Sequence, residues 1–204
     1  METSSAWGQV VAMSPWEYCA VILGITYLVL AARENIWCWA CALISTCIYT
    51  VLFWNESLLM ESALNVYYIG MAFYGWRQWG RIQNLPQLKI SSWKPSKHFF
   101  AILLVLVLTT VSGTLLSKYT SAVWPYVDSF TTWGAVITTW MVANKILENW
   151  LYWIVVDGVS IPLYLERGLY LTAGLFAIYL VIVVIGYFTW LKEYREYSDE
   201  PSPA

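Results

Sequence analysis

Two tryptophans and an aspartate, Trp150, Trp153 and Asp157, have the spacing best suited to binding chemistry in this sequence. Positions i, i+3 and i+7 share one face of an α-helix, so two indole rings and a carboxylate would point the same way. Indole faces stack on flat rings and attract cations, and a carboxylate neutralises a positive charge. The pattern predicts a site for a flat, cationic solute. The alternative is that Trp150 is an interfacial tryptophan and Asp157 a structural hydrogen-bond acceptor.

The composition places this face inside a membrane. Of 204 residues, 59% are hydrophobic and 12% are charged, whereas a soluble domain carries roughly 25% charged residues. Seven stretches are long and apolar enough to cross a bilayer core of about 30 Å as helices. The predicted spans are Pro15–Ala32, Ile36–Trp54, Leu58–Trp79, His98–Ser117, Tyr126–Asn144, Leu147–Tyr164 and Gly168–Trp190. The sequence therefore predicts an all-α, polytopic membrane protein.

Polar side chains at membrane depth are the candidates for substrate binding. A charged group at the centre of a span costs about 2.5 to 3.5 kcal/mol to insert, which singles out Asp157 in the sixth span. Further candidates at mid-depth or on matching faces are Thr46, Tyr49, Asn65, Tyr68, Thr138, Tyr164 and Tyr179. The polar groups among them also have a structural interpretation, as interhelical hydrogen bonds worth about 0.6 to 2 kcal/mol. Both interpretations stay open for each residue.

The residue content argues against other classes of protein. The single histidine, His98, cannot build a metal cluster, and the sequence has no HExxH motif or Ser-His pair, so we predict no catalytic site, metal or cofactor. Cys38 and Cys41 form a CxxC pair in an apolar stretch, where no base ionises a thiol. A net charge of −2 gives no reason to propose nucleic acid as a partner. A retinal-type receptor needs a lysine in the seventh span, which has none, and a receptor or membrane enzyme is the disfavoured alternative.

The distribution of cations predicts the orientation in the membrane. Nine cations fall on one side, namely Arg33, Arg77, Arg81, Lys89, Lys94, Lys97, Lys145, Lys192 and Arg195, against Lys118 and Arg167 on the other. The positive-inside rule then places the N-terminus outside and the C-terminus in the cytoplasm. The segment before Trp16 has no Lys or Arg and no cleavage site, so we expect the first helix to be retained.

An internal repeat relates the first three spans to the last three. When the sequence is shifted along itself so that Trp39 meets Trp150, the spans align without a gap, and Gly75 meets Gly186 and Trp79 meets Trp190. Repeats that start four helices apart run in the same direction, which predicts parallel pseudo-symmetry with a solute site between the halves. The repeat alignment pairs Thr46 with Asp157, so the two halves offer different polar groups to a solute. The predicted organisation is a first three-helix bundle at 1–79, a cytoplasmic loop and connector helix at 80–125, a second bundle at 126–191 and a cytoplasmic tail at 192–204.

The string from Glu148 to Asp157, ENWLYWIVVD, resembles the WxxWxxxN signature of the sixth helix in the Pnu family of bacterial vitamin transporters. The likeness extends over nearly the whole chain and includes Tyr74-Gly75-Trp76, Asp128-Ser129 and Gly168-Leu169-Tyr170. The resemblance implies a 3+1+3 helix arrangement like that of the SWEET sugar transporters. It also implies facilitated diffusion of an unphosphorylated vitamin across the inner membrane, with a cytoplasmic kinase that traps the product. A homotrimer is a candidate assembly that the sequence leaves open.

Members of that family divide by substrate among nicotinamide riboside, thiamine and riboflavin. The nicotinamide riboside type resembles this chain but has Asn in place of Asp157, Gln near Asn65 and Asn near Ala72, and the sequence departs at all three. Thiamine and nicotinamide riboside are flat cations that suit aromatic rings beside a carboxylate, whereas riboflavin is neutral. We therefore expect thiamine, with nicotinamide riboside as the alternative.

Overall fold

The computed structural model describes residues 13–55, 59–80, 88–120, 124–166 and 168–199. Seven α-helices and no strand lie in these ranges, which confirms the predicted all-α architecture. The helices are α1 Pro15–Ala32, α2 Cys38–Asn55, α3 Leu59–Trp79, α4 Pro95–Tyr119, α5 Pro125–Ala143, α6 Asn149–Glu166 and α7 Tyr170–Asp199. Parts of the predicted first bundle, loop and tail, at residues 1–12, 81–87 and 200–204, lie outside the described residues.

Local sequence signals fix where helices begin. Pro15, Pro95 and Pro125 each occupy the first turn of a helix, where the missing N–H leaves no hydrogen bond unmade. Ser14 forms a capping box with Glu17, because its hydroxyl accepts from the Glu17 N–H at 3.3 Å while its own N–H donates to the Glu17 carboxylate at 2.5 Å. These signals give α1 its predicted bounds.

The last helix is longer than the sequence predicted. The apolar part of α7 ends near Trp190, but the helix continues nine residues further, to Asp199. Lys, Glu and Arg are good helix formers, and Lys192 lies 3.8 Å from Glu196 in an i, i+4 pair. Hydropathy marks the part of a helix that suits lipid and does not mark the end of the helix. The segment predicted as a tail therefore begins as helix.

Six helices form a closed ring. Helix α1 contacts α2, α2 contacts α3, α3 contacts α5, α5 contacts α6, α6 contacts α7, and α7 returns to α1. Among the described helix contacts, α4 packs only against α5, on the outside of the ring. This is the predicted 3+1+3 arrangement, with α1–α3 and α5–α7 as the two halves and α4 as the connector.

The two halves repeat the same aromatic packing. Trp39 lies edge-on to Trp79 with ring centroids 5.4 Å apart and an interplanar angle of 85°. Trp150 lies edge-on to Trp190 with a centroid distance of 5.3 Å and an angle of 89°. The repeat alignment pairs each member of the first contact with its counterpart in the second. The shared geometry confirms the parallel repeat predicted from the sequence.

The turns that follow α1 and α5 are equivalent as well. Glu34 has a φ of 52° and Lys145 a φ of 50°, a left-handed conformation that is uncommon outside glycine. The next residue in each turn, Asn35 or Ile146, donates its N–H to the carbonyl five residues earlier, at 2.9 and 3.0 Å. The Lys145 Nζ lies 2.6 Å from a Glu34 carboxylate oxygen, so an ion pair joins matched positions of the two halves.

A glycine opens the space for each buried indole ring. A Cβ at Gly75 would approach the Trp39 ring to 2.3 Å, and a Cβ at Gly186 would approach the Trp150 ring to 2.7 Å. Both tryptophans are at most 1% exposed, so neither ring has room to retreat. The glycines are therefore required by packing between neighbouring helices.

We expect Gly75→Ala to lower the free energy of unfolding by about 1 to 3 kcal/mol, the usual cost of overpacking a filled core. Gly70→Ala on the same helix is the matched control, since nothing lies within 4 Å of a Cβ there. Thermal unfolding of both variants in detergent makes the comparison. Equal melting temperatures for the two variants would contradict the packing described here.

Apolar surface marks the lipid-facing helices. Three helices are long and apolar enough by themselves to span a bilayer, with a mean hydropathy of 1.5 for α1 and of 2.4 for α4 and for α7. Large apolar side chains stay exposed on α4, including Phe99 at 63% and Phe100 at 67%. The other helices are shorter or carry more Trp, Tyr and polar residues, which hydropathy scales grade as less apolar. Their apolar character is consistent with the predicted membrane protein.

Candidate functional site

Asp157 lies at the middle of α6 and is only 3% exposed. In the described part of the chain, no salt bridge joins its carboxylate to a Lys or Arg. A carboxylate that is removed from water without a cationic partner is costly to hold at membrane depth. The arrangement is therefore electrostatically incomplete, and a positively charged ligand would complete it.

Tyrosines from both halves lie around Asp157. Tyr68 on α3 and Tyr179 on α7 are both within coulombic range of the carboxylate. These two residues are partners in the repeat alignment, so each half of the ring supplies one tyrosine. Tyr164 on α6 is within coulombic range of Tyr68. The structure thus brings together four of the residues that the sequence singled out.

An aromatic wall continues from this group along α6 and α7. The ring centroids of Tyr164 and Phe176 are 5.0 Å apart, and those of Phe176 and Tyr179 are 5.6 Å apart. Helix α1 makes room for the wall at Gly24, where a Cβ would lie 2.9 Å from the Tyr179 hydroxyl oxygen. Aromatic faces beside a carboxylate can stack on a flat ring and stabilise its positive charge.

The two tryptophans of α6 have different surroundings. Trp150 is fully buried and packs against Trp190 in the core between α6 and α7. Trp153 is half-buried at the edge of that core. It precedes Asp157 by four residues, one helical turn, so the two lie on the same side of α6. Trp150 thus holds α6 against α7, and the side chain better placed beside Asp157 is that of Trp153.

The remaining predicted residues contribute hydroxyl and amide groups. Thr46 and Thr138 donate their hydroxyl protons to carbonyls of their own helices at 2.8 and 2.7 Å, which leaves the hydroxyl oxygens as acceptors. Tyr49 is within coulombic range of Tyr179. Asn65 is buried on α3, with 8% of its surface exposed. These four side chains come from α2, α3 and α5, so nearly the whole ring supplies polar groups.

Sequence reasoning missed two aromatic residues of this region. Tyr27 on α1 is within coulombic range of Tyr68, and Phe176 links Tyr164 to Tyr179. The internal repeat carried the signal for both, because its alignment places Tyr27 opposite Thr138 and Phe176 opposite Asn65.

The described residues offer no metal centre. No group of three or more His, Cys, Asp or Glu side chains within them is arranged to hold an ion. Cys38 is buried and Cys41 half-buried, and both are free thiols.

Comparison with protein families decides between the classes considered above. The family model described as nicotinamide mononucleotide transporter matches residues 14–192, which is most of the chain. The chain belongs to this family. The predicted membership of the Pnu family and the prediction of a vitamin transporter rather than an enzyme are thereby confirmed.

Individual relatives of the nicotinamide mononucleotide transporter family are similar over most of their length. The riboflavin/roseoflavin transporter RibM of Streptomyces davaonensis is 28% identical over 185 residues, covering 87% of this chain and 84% of the relative. The nicotinamide riboside transporter PnuC of Escherichia coli is 24% identical over 210 residues, covering 88% of this chain and 86% of the relative. A crystal structure of the vitamin B3 transporter PnuC superposes with a TM-score of 0.72 at 23% identity, covering 89% of this chain and 82% of that one. That likeness establishes a shared fold.

Proposed function

We propose that this protein takes up nicotinamide riboside across a bacterial inner membrane by facilitated diffusion. The observation that carries the proposal is the buried Asp157 carboxylate, which has no cationic partner among the described residues and lies near Tyr68 and Tyr179. The nicotinamide ring of the riboside is flat and permanently positive, so it matches the carboxylate in charge and the aromatic wall in shape. The relatives named for nicotinamide riboside support the same substrate.

Thiamine, the first expectation from the sequence, draws no support from the named relatives. It remains chemically compatible with a carboxylate, and for that reason it belongs in the test. Riboflavin is the second candidate, because the relative from Streptomyces davaonensis carries riboflavin and roseoflavin in its name. Riboflavin is neutral and would leave Asp157 without a counter-charge, which favours nicotinamide riboside.

In the proposed mechanism the two halves of the ring move against each other around a central site. The nicotinamide ring stacks on Trp153 and the tyrosines, and Asp157 neutralises its charge. Thr46 and Asn65 form hydrogen bonds with the hydroxyl groups of the ribose. Trp150 keeps α6 in register with α7 and does not touch the substrate. A cytoplasmic kinase would trap the product by phosphorylation. The N-terminus is proposed to lie outside, the C-terminus in the cytoplasm, and a homotrimer is the proposed assembly.

We expect purified protein to bind nicotinamide riboside more tightly than thiamine, and either cation more tightly than riboflavin. Calorimetric titration with the three vitamins measures this order. In proteoliposomes, labelled nicotinamide riboside should enter until the inside and outside concentrations are equal, because the chain has no P-loop to couple uptake to ATP. A kinase enclosed with ATP should then raise the retained label above that level.

Two outcomes would contradict the proposal. Tighter binding of riboflavin than of both cations would assign the site to a neutral ring. Accumulation above the bath concentration without a kinase would show that uptake is coupled to an energy source. Empty liposomes and liposomes with heat-denatured protein provide the background for both measurements.

A further inference from the structure

A groove of about 600 Å³ lies outside the ring, on the side where the connector helix α4 packs against α5. Its walls are side chains of α3, α4 and α5, including Tyr67, Phe100 and Ile137. The groove arises because α4 contacts α5 and leaves a gap beside α3. It is separate from the proposed vitamin site, which lies around Asp157 on α6.

The groove is apolar along its length and basic at one end. Tyr67 could offer a polar group in its wall, but its hydroxyl already donates to the Val136 carbonyl at 2.9 Å. Lys97 is the single charged side chain in the lining, and no ion pair with it occurs in the described part of the chain. A polar vitamin would find few partners here, whereas a hydrocarbon chain with an anionic end matches the lining in polarity and charge.

The basic end has two further features of a membrane interface. Trp93 and Trp140 lie there with ring centroids 5.9 Å apart, and tryptophan is enriched at the level of lipid headgroups. Helix α4 begins beside them with Lys94 as its N-cap, no side-chain cap and no acidic residue in its first turn. Its first N–H groups and its dipole therefore favour an anion near Lys97.

Glu148 is an acidic group close to this end, because it contacts Trp93 and His98, and other partners already engage it. Its carboxylate accepts hydrogen bonds from the Ser92 hydroxyl and, at 3.3 Å, from the Trp93 N–H, and it lies 3.9 Å from His98. It therefore holds the segment before α4 against α6 and leaves Lys97 available to a ligand.

Exposed apolar side chains line the groove along α4. From Lys97 to Leu104 the lining extends seven residues along α4, about 10 Å at 1.5 Å per residue. Phe100 and Leu104 remain 67% and 47% exposed, so an acyl chain that runs along α4 can contact both side chains.

We propose that this groove binds one anionic phospholipid. The lipid phosphate pairs with Lys97 at the N-terminus of α4, and one acyl chain lies along Phe100, Leu104 and Ile137. Basic pockets between transmembrane helices are known to select anionic headgroups in this way. The lipid would thereby fill the gap beside α3 and fasten the connector to the ring.

Native mass spectrometry of the detergent-purified full chain tests the proposal. Binding of phosphatidylglycerol, which is anionic, is compared with binding of phosphatidylcholine, which carries no net charge. We expect one phosphatidylglycerol to bind with clear preference over phosphatidylcholine. Lys97→Gln should weaken phosphatidylglycerol binding roughly fivefold, since one lysine near an anionic lipid contributes about 1 kcal/mol. Lys118→Gln, at the opposite end of the same exposed helix, is the matched control and should leave binding unchanged.

A second pair of variants tests the path of the acyl chain. Leu104→Trp fills the groove and should abolish the bound lipid, whereas Leu103→Trp, next to it but outside the lining, should not. Equal binding of both lipids, or equal loss in Lys97→Gln and Lys118→Gln, would overturn the proposal. A change of oligomeric state in Leu104→Trp with lipid binding intact would assign the groove to a second copy instead. These readouts do not depend on which vitamin the protein carries.

Discussion

Asp157→Ala should lower initial uptake of nicotinamide riboside at least tenfold at low substrate concentration. Such a loss corresponds to about 1.4 kcal/mol, a modest value for a buried charge that faces a cationic ligand. The variant removes the only carboxylate described at the middle of α6 and leaves the tyrosines in place. Calorimetric titration should show the same loss in affinity, and binding of neutral riboflavin should change less.

The same substitution should leave the empty protein as stable as the wild type, or more stable. Asp157 is 3% exposed and has no salt bridge in the described ranges, so its removal relieves an uncompensated desolvation cost. Loss of binding together with unchanged or raised melting temperature is the expected signature of a functional group that is held at the expense of stability. Asp157→Asn keeps the size and a hydrogen-bond acceptor, so its affinity for nicotinamide riboside should fall between those of the wild type and Asp157→Ala.

Ser160→Ala is the matched control for this experiment. Ser160 is equally buried on the same helix, one turn further along, but its hydroxyl donates to the Val156 carbonyl of its own helix at 2.8 Å. It should retain both affinity and uptake. Unchanged affinity for nicotinamide riboside in Asp157→Ala would remove the carboxylate from the site and the proposed function with it.

The sequence predicted the helices well because lipid imposes a simple rule on composition. A stretch of about 20 apolar residues must be helical in a bilayer, since no water satisfies its backbone. Proline and a capping serine then sharpened the start of α1 at Pro15. The end of α7 was missed because the helix leaves the lipid and continues on local charge pairs, such as Lys192 with Glu196.

The candidate site was only partly predictable for a different reason. Helical spacing shows which residues share a face, but it does not show which helix lies opposite that face at each height. Trp150 and Asp157 share a face of α6. At the level of Trp150, however, Gly186 on α7 leaves a space that the Trp150 ring fills. The carboxylate, two turns away, lies within electrostatic range of Tyr68 and Tyr179 instead. The repeat alignment carried this information, because it pairs Tyr68 with Tyr179.

The ion pair between Glu34 and Lys145 shows the same limit. In the sequence, Lys145 contributes to the cation bias that predicts the orientation, and the repeat alignment places it opposite Glu34. Two matched turns meet only if the halves pack around a common axis with these turns at one end. A linear sequence does not specify that contact. The structure places the amine 2.6 Å from the carboxylate and 4.9 Å from the centre of the Trp79 ring.

Breaking this pair should be among the most destabilising single changes in the protein. The side chains of Lys145 and Glu34 are 5% and 19% exposed, so removal of one leaves the other largely buried and unpaired. For buried pairs that loss costs about 3 to 5 kcal/mol. We expect Glu34→Gln to lower the free energy of unfolding by more than Lys145→Met does. Glu34→Gln leaves the more deeply buried lysine without its partner, whereas Lys145→Met leaves a glutamate that retains some access to water.

A double-mutant cycle separates the pair from the packing around it. The variants Glu34→Ala and Lys145→Ala, alone and combined, should give a coupling energy of about 1 to 3 kcal/mol from reversible unfolding in detergent. Lys192 and Glu196, which are 80% and 62% exposed, form the control pair, for which about 0.5 kcal/mol or less is expected. When one member of an exposed pair is removed, water solvates the charge that remains. The charge left behind by Glu34 or Lys145 is largely shielded from water. Equal coupling in the two cycles would mean that the contact between the matched turns contributes no more than a surface ion pair, and that the halves are held together by their aromatic core alone.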